Sequence, residues 1–100
     1  TPASKFVATF IGENNFFEKG DKEIAIRPEN IKMSPAKDKT SYYAGTIRDV
    51  EFVGTLNKIF IDLHKHDQTI IVYQMPDQTT FSRNDKVEIS WKSEDEVIMY

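Results

Sequence analysis

The chain has 100 residues, a formal net charge of −3 and no cysteine. This length suits one small domain with a single core, and the lack of cysteine excludes a disulfide scaffold and a thiolate metal site. The acidic balance argues against a partner recognised through its phosphates, and no apolar run is long enough to cross a bilayer. Because the sequence begins with Thr1, we expect it to be a piece of a longer polypeptide.

The first apolar periodicity in the chain is helical. Between residues 4 and 11 the apolar side chains fall on one stripe, with Ser4 placed to cap the start and Gly12 to end the segment. This pattern predicts a short helix over residues 4–11. A helix of this length is unstable by itself, so we expect it to dock on another element.

From residue 13 onward the pattern becomes that of β-strands. Residues 13–15 are predicted as a loop and 19–22 as a turn, while period-2 alternation is clearest at 42–53, 57–63 and 87–91. Residues 69–75 are apolar on both faces, so both faces are expected to be covered. About six short strands with regular turns predict a mainly β fold, a small OB-like barrel or a sandwich, preceded by the short N-terminal helix.

Two stretches of the chain share one layout. Each has an apolar strand, a polar corner and a second apolar alternation, with the corner 27–30 matching 92–95. The alternation 31–33 then matches 97–99 after one inserted residue, Glu96. Internal pseudo-symmetry is one interpretation, and chance similarity between short strand-turn-strand units is the other.

Motifs for catalysis are missing from the sequence. The four glycines are isolated, so no phosphate-binding loop is present, and no serine lies in a nucleophile elbow. His64 and His66, with Asp62 and Asp67, are the best metal-ligand candidates, because imidazole and carboxylate suit zinc or nickel. The alternative is a pair of solvated histidines in a hairpin, since a specific site needs further ligands from another element. We predict no metal.

Two further groups are candidates for binding. Aromatic and basic residues on the central strands are of the types that form a base-stacking platform, although carboxylates on the same strands favour cross-strand packing instead. These residues are Phe52, Phe60, Tyr43, Tyr73, Arg48, Lys58 and Lys65. Arg27 and Glu29 are candidates for a ligand or interdomain contact, and a salt bridge within the corner is the alternative.

Four motifs, in order along the chain, resemble one family. Residues 6–15 (Phe-Val-Ala-x-Phe-Ile-Gly-Glu-x-Asn) look like the segment that closes the nucleotide-binding domain of bacterial ABC importer ATPases. Residues 26–31 (Ile-Arg-Pro-Glu-Asn-Ile) are similar to a motif of the transport-associated OB-like (TOBE) domain that follows it. Residues 45–54 resemble the next TOBE strand and its glycine, and 84–91 stand where the family has Gly-Asp and a strand ending in Trp. The opening segment is most similar to the spermidine/putrescine group, while iron and sugar importers share the other motifs.

The resemblance implies the domain organisation and the function. Residues 1–12 would be a short helix closing a preceding nucleotide-binding domain, and 13–100 a TOBE-like OB-type β domain. The domain would be an accessory part of an importer ATPase, contributing to dimerisation or regulation and not to ATP hydrolysis. The alternatives are a free-standing OB-type ligand- or RNA-binding module and, less favoured, a metal-dependent enzyme built on His64 and His66.

The implied parent protein sets the expected cofactors and partners. ATP and magnesium would bind the parent, with no cofactor in this chain. The partners would be a second copy of the ATPase subunit and the membrane-spanning permease subunits, without nucleic acid. The location would be cytoplasmic, peripheral at the inner face of the cell membrane.

One departure from the family pattern lies between residues 17 and 23. Relatives carry an extra strand pair there, whereas this chain passes directly into the turn at 19–22. A missing pair would expose a strand edge, which a second copy of the chain is suited to fill. The apolar strand at 69–75 is the other candidate for self-association.

Overall fold

The computed structural model describes residues 13–38, 42–77 and 81–99. Within these ranges the chain forms eight β-strands and two 3₁₀ turns. The strands are β1 Asn15–Lys19, β2 Lys22–Ile26, β3 Lys32–Pro35, β4 Ala44–Val53, β5 Leu56–Leu63, β6 Thr69–Gln74, β7 Lys86–Ser90 and β8 Val97–Met99. The first turn is Pro28–Asn30 and the second turn is Ser93–Asp95. The mainly β prediction is confirmed, and the helix predicted over 4–11 lies outside the described residues.

The strands pair into two antiparallel sheets. A three-stranded sheet has the order β1-β2-β8, and a five-stranded sheet has the order β3-β7-β4-β5-β6. The prediction of one closed barrel of about six strands is therefore wrong for the part of the chain that the structure describes. Closing a barrel would need ladders between β1 and β6 and between β8 and β3, and the described strands form neither. β1 and β6 are joined by side-chain hydrogen bonds instead. No helix among the described residues is long and apolar enough to span a membrane.

The N-terminal hairpin was predicted only in part from the sequence. The turn predicted at 19–22 is confirmed, since Lys19 and Lys22 face each other across the β1–β2 hairpin and Gly20 supplies the positive φ of 66°. The loop predicted over 13–15 is wrong at Asn15, which begins β1 opposite Ile26. The run Asn-Phe-Phe-Glu-Lys has no period-2 alternation, so its strand character comes from pairing with β2.

Side chains from both sheets pack into one hydrophobic core. Its largest fully buried members include Ile24 and Ile26 from β2 and Ile59 and Ile61 from β5. Burying a side chain of this size stabilises the fold by about 1.5–3 kcal/mol. On β6, Ile70 and Val72 enter the core while the two residues that alternate with them are half-buried on the other face, which explains the two-sided apolar pattern at 69–75.

The two units of similar layout have the same local structure, and the strands of one unit pair with the strands of the other. In the first unit β2, the first turn and β3 follow one another, and in the second unit β7, the second turn and β8 do the same. β2 pairs with β8 and β3 pairs with β7. The turn bonds match as well, because Ile31 N donates to Pro28 O at 3.5 Å and Glu96 N donates to Ser93 O at 3.2 Å. Glu96 is thus the counterpart of Ile31, not an insertion, and the internal-symmetry interpretation gains support.

Steric crowding explains why the motif at 45–54 begins with a glycine. A Cβ on Gly45 would lie 2.6 Å from Ile61 Cγ2 and 2.7 Å from Asp62 O, so β4 approaches β5 too closely there for any side chain. The strand then shifts register between Ile47 and Asp49, an irregularity that twists it locally.

Candidate functional site

Side chains join the two sheets along a seam between β1 and β6. Asn15 is 5% exposed; its Nδ2 donates to Ile71 O at 2.6 Å and its Oδ1 accepts from Ile71 N at 2.8 Å. An amide side chain has one donor and one acceptor side, as a peptide group does, so it satisfies both backbone groups of an edge residue. Gln68 Nε2 adds a bond to Phe16 O at 2.5 Å. The backbone of Ile71 is therefore already occupied, which removes the middle of β6 as an open edge for a second copy.

A charged cluster continues the seam beyond β1. Glu13 Oε1 accepts from Tyr73 Oη at 2.6 Å and from Lys58 Nζ at 2.9 Å. These bonds, the tyrosine bond first, lower the pKa of Glu13 below its usual value. The hydrogen bond to the Glu13 carboxylate, followed by burial, raises the pKa of Tyr73 to about 12. The Tyr73 hydroxyl is thus held protonated as a donor at neutral pH.

Tyr73 also lines a groove on the surface of the domain. This groove has a volume of about 720 Å³ and lies between the first turn, β3 and the ends of β5 and β6. Its lining combines apolar side chains with charged residues at the rim. The lining residues are Glu29, Ile31, Lys32, Met33, Leu56, Tyr73, Gln74, Met75 and Asp77. Such a mixture suits an amphipathic ligand or segment.

Of the two candidate residues of the corner, Glu29 lines this groove and Arg27 is bonded to it. Arg27 Nε donates to Glu29 Oε2 at 3.0 Å, and the two side chains are 39% and 48% exposed. The corner salt bridge that the sequence left as the alternative is therefore formed. An exposed pair of this kind contributes about 0–1 kcal/mol, so a ligand or a neighbouring domain can exchange partners with it at little cost. Glu29 reaches the groove rim, and its ligand role stays a prediction.

Only part of the base-stacking set comes together: Lys58 Nζ lies 5.5 Å from the centroid of the Phe60 ring and shares Glu13 with Tyr73. Arg48 Nε is paired with Asp62 Oδ2 at 3.0 Å, and Lys58 with Glu13. Phe52 is 68% exposed at the far end of β4, whereas Tyr43 packs against the aromatic side chains of another region. Cations already neutralised by carboxylates offer little to a phosphate backbone.

The two histidines are directed to different partners. His64 Nε2 lies 2.7 Å from Thr46 Oγ1, while the His66 ring stacks on Tyr43 at 5.9 Å between centroids. Asp62 is engaged by Arg48 and by a threonine hydroxyl. In the described ranges 13–38, 42–77 and 81–99, no group of three His, Asp or Glu side chains is arranged to hold a metal ion.

A second cluster, which the sequence did not reveal, surrounds Trp91. Its Nε1 donates to Glu96 Oε2 at 2.9 Å, and Lys19 Nζ lies 2.9 Å from the same oxygen. The lysine bond, followed by the tryptophan bond, lowers the pKa of Glu96. Phe17 stacks on Trp91 at 4.8 Å between centroids. The cluster links the β1–β2 turn to the second turn across 77 positions of sequence, a distance at which local patterns carry no signal.

Comparison with known proteins assigns the family. Residues 24–99 match the family described as TOBE domain. The chain belongs to this family. The TOBE resemblance of the motifs at 26–31, 45–54 and 84–91 is thereby confirmed. The family match begins at Ile24, so β1 precedes it.

This TOBE domain is also similar to longer proteins. It is 39% identical over 101 residues to the "Spermidine/putrescine import ATP-binding protein PotA" of Bacillus thuringiensis subsp. konkukian (strain 97-27), of Bacillus cereus (strain ATCC 10987 / NRS 248) and of Bacillus anthracis. Each alignment covers 98% of this chain and 31% of the relative. The chain therefore spans about a third of the length of these curated relatives. The alignment is 101 residues long and takes in 98% of this 100-residue chain. This leaves room for only a few unmatched residues, so no complete strand pair is missing relative to these proteins.

Proposed function

We propose that this TOBE domain is the accessory C-terminal domain of the ATP-binding subunit of an importer, with polyamines as the transported class. The observation that carries the proposal is the 39% identity over 98% of this chain to proteins whose printed name is spermidine/putrescine import ATP-binding protein. In this proposal the domain contributes to dimerisation or regulation, and ATP hydrolysis belongs to the remaining part of the parent protein.

The proposal extends to cofactors, partners and location. ATP and magnesium bind elsewhere in the parent, which agrees with the lack of a phosphate-binding loop in these 100 residues. The partners are a second ATPase subunit and the permease subunits, at the inner face of the cell membrane. The finer fold assignment belongs here too: an OB-like fold of two sheets is supported by the family match and by the side-chain bonds that join β1 to β6 at Asn15.

The test uses the parent polypeptide with its permease and a polyamine-binding subunit. A parent that ends before residue 13 is expected to keep ATP binding, because the domain holds no nucleotide site, and to lose normal control of polyamine-dependent ATP hydrolysis or subunit pairing. The controls are the intact parent and the domain by itself in an ATP calorimetry titration. Micromolar ATP binding by the isolated domain, or truncation without effect on uptake, hydrolysis and pairing, contradicts the proposal.

A further inference from the structure

Among the described strands, β1, β8, β3 and β6 lie at the edges of the two sheets. Asn15 bonds the backbone of β6, and Gln68 donates to the backbone of β1. β3 carries the exposed Lys32 and ends in Pro35, which has no N–H to donate. Lysine and proline are residues that keep an edge strand from pairing with another chain. Three of the four edges are therefore protected, and β8 is the fourth.

The β8 edge is apolar on both faces. It consists of Val97, Ile98 and Met99, and successive side chains of a strand point to opposite faces. Val97 is 53% exposed and Ile98 is 37% exposed, while Met99 is buried. No strand of the described ranges pairs with the outer side of β8. An edge strand with these properties is one that a further strand can extend, because its outward backbone groups need partners.

The internal symmetry of the fold gives the β8 edge a counterpart of opposite character. Because Glu96 is the counterpart of Ile31, the residue two positions on, Ile98, is the counterpart of Met33. β8 and β3 thus occupy equivalent places at the edges of their sheets. The architecture permits a protected edge at both places, but the sequence protects the β3 edge and not the β8 edge.

We propose that the β8 edge is the contact surface for a second copy of this domain, with the two β8 strands antiparallel about a two-fold axis at Ile98. In this register Val97 lies opposite Met99 of the partner subunit, so apolar side chains meet along the whole edge. The two three-stranded sheets then join into one sheet of six strands. This inference rests on the proposed function, in which two ATPase subunits pair.

Charge complementarity favours a second copy in this orientation. The second turn carries Glu94 and Asp95 immediately before β8. The exposed Lys22 begins β2, directly before Glu23, the residue that pairs with Met99. Antiparallel pairing brings the acidic turn of one copy towards Lys22 of the partner subunit, and the two-fold axis repeats this contact. Parallel pairing would bring the two acidic turns together instead, which is repulsive.

The size of the edge determines how strong this contact is. Stable specific interfaces bury about 1,200–2,000 Å² in total, more than a three-residue strand from each copy supplies. The contact is therefore weak between isolated domains. In the parent, pairing of the remaining part of each subunit holds the two edges at a high effective concentration.

Cross-linking of the intact parent polypeptide tests the contact. The 100 residues contain no cysteine, and any cysteine elsewhere in the parent is first replaced by serine. Ile98→Cys then places a thiol at the two-fold axis, where opposite Cβ atoms lie about 4.5–5.5 Å apart, within reach of a short bismaleimide. Met33→Cys is the matched control at the equivalent place on β3. With ATP bound, Ile98→Cys should cross-link into dimers about tenfold faster or more.

A charge reversal tests the orientation. Lys22→Glu should slow cross-linking through Ile98→Cys, because like charges then meet across the axis, and adding Glu94→Lys and Asp95→Lys should restore the rate. A loss of folding would not be rescued in this way.

Three results overturn the proposal: no dimer through Ile98→Cys, equal rates for Ile98→Cys and Met33→Cys, or no effect of Lys22→Glu. ATP hydrolysis and ATP-dependent pairing, measured in the same samples by absorbance assay and sedimentation, report separately on the proposed function. A parent that hydrolyses ATP and pairs without cross-linking at Ile98→Cys overturns the β8 contact alone.

Discussion

The seam makes a quantitative prediction for Asn15→Ala. The substitution removes two hydrogen bonds, of 2.6 and 2.8 Å, and leaves the N–H and C=O of Ile71 without the amide that satisfies them. A hydrogen bond contributes about 0.5–1.5 kcal/mol net, and an unsatisfied buried polar group costs about 1–3 kcal/mol. Water that enters the space left by the amide recovers part of this loss. We expect the free energy of unfolding to fall by about 2–4 kcal/mol, a large fraction of the stability of a 100-residue domain.

Thermal and urea unfolding measure this loss. At about 4–8 °C per kcal/mol for a domain of this size, the Tm should fall by roughly 8–30 °C, and the urea midpoint should fall with little change in m. Asn57→Ala is the matched control, because it deletes the same amide from a half-buried strand position on β5 and should cost about 1 kcal/mol or less.

A third variant separates the two bonds. Asn15→Asp keeps an acceptor for the Ile71 N–H but places an anionic oxygen against the Ile71 carbonyl. It should destabilise at neutral pH and recover in part when the carboxyl is protonated in acid. If Asn15→Ala unfolds within about 1 kcal/mol of Asn57→Ala, the seam does not hold the sheets together and the reasoning is refuted.

Three more outcomes follow from the described contacts. Gly45→Ala should cost about 1–3 kcal/mol in urea unfolding, because its Cβ would overlap β5. Gly54→Ala has open space around it and should cost roughly 1–2 kcal/mol from left-handed strain at φ +65°. A loss below about 1 kcal/mol for Gly45→Ala would contradict the steric argument. The folded-state pKa of Glu96 is lowered, so its stabilising contribution is present above the ordinary value of 4.5 and is lost as the pH falls through the lower folded value; Glu96→Gln should flatten this acid limb, followed by the fluorescence of the single tryptophan, and an acid limb as steep as that of the control Glu94→Gln would rule the idea out. Stoichiometric zinc should leave the Tm unchanged, since the two histidines have separate partners, and a rise in Tm that His64→Ala abolishes would restore the metal site.

Local patterns in the sequence were enough to predict the strands that pack on the core. Ile59 and Ile61 alternate with polar neighbours and are buried, because a period of two fixes which face of a strand is apolar. The corner at 27–30 could also be predicted, because Pro28 fixes its own φ angle and ends the preceding strand. The family assignment came from the order of such local motifs, and the match over residues 24–99 bears it out.

The sequence by itself determined the strand-rich fold class, the family and the acidic, cysteine-free surface chemistry. Only the tertiary structure decided how the sheets meet. Asn15 looked like a loop residue, and its partner Ile71 is 56 positions away. Glu96 looked like an insertion, but its backbone N–H closes the second turn on Ser93 O as that of Ile31 closes the first turn on Pro28 O. Periodicity reports the face on which a side chain is buried, but not which distant backbone or side chain it meets. That pairing depends on how the core positions the strand edges, because a hydrogen bond forms only when donor and acceptor come within about 3 Å in the right orientation.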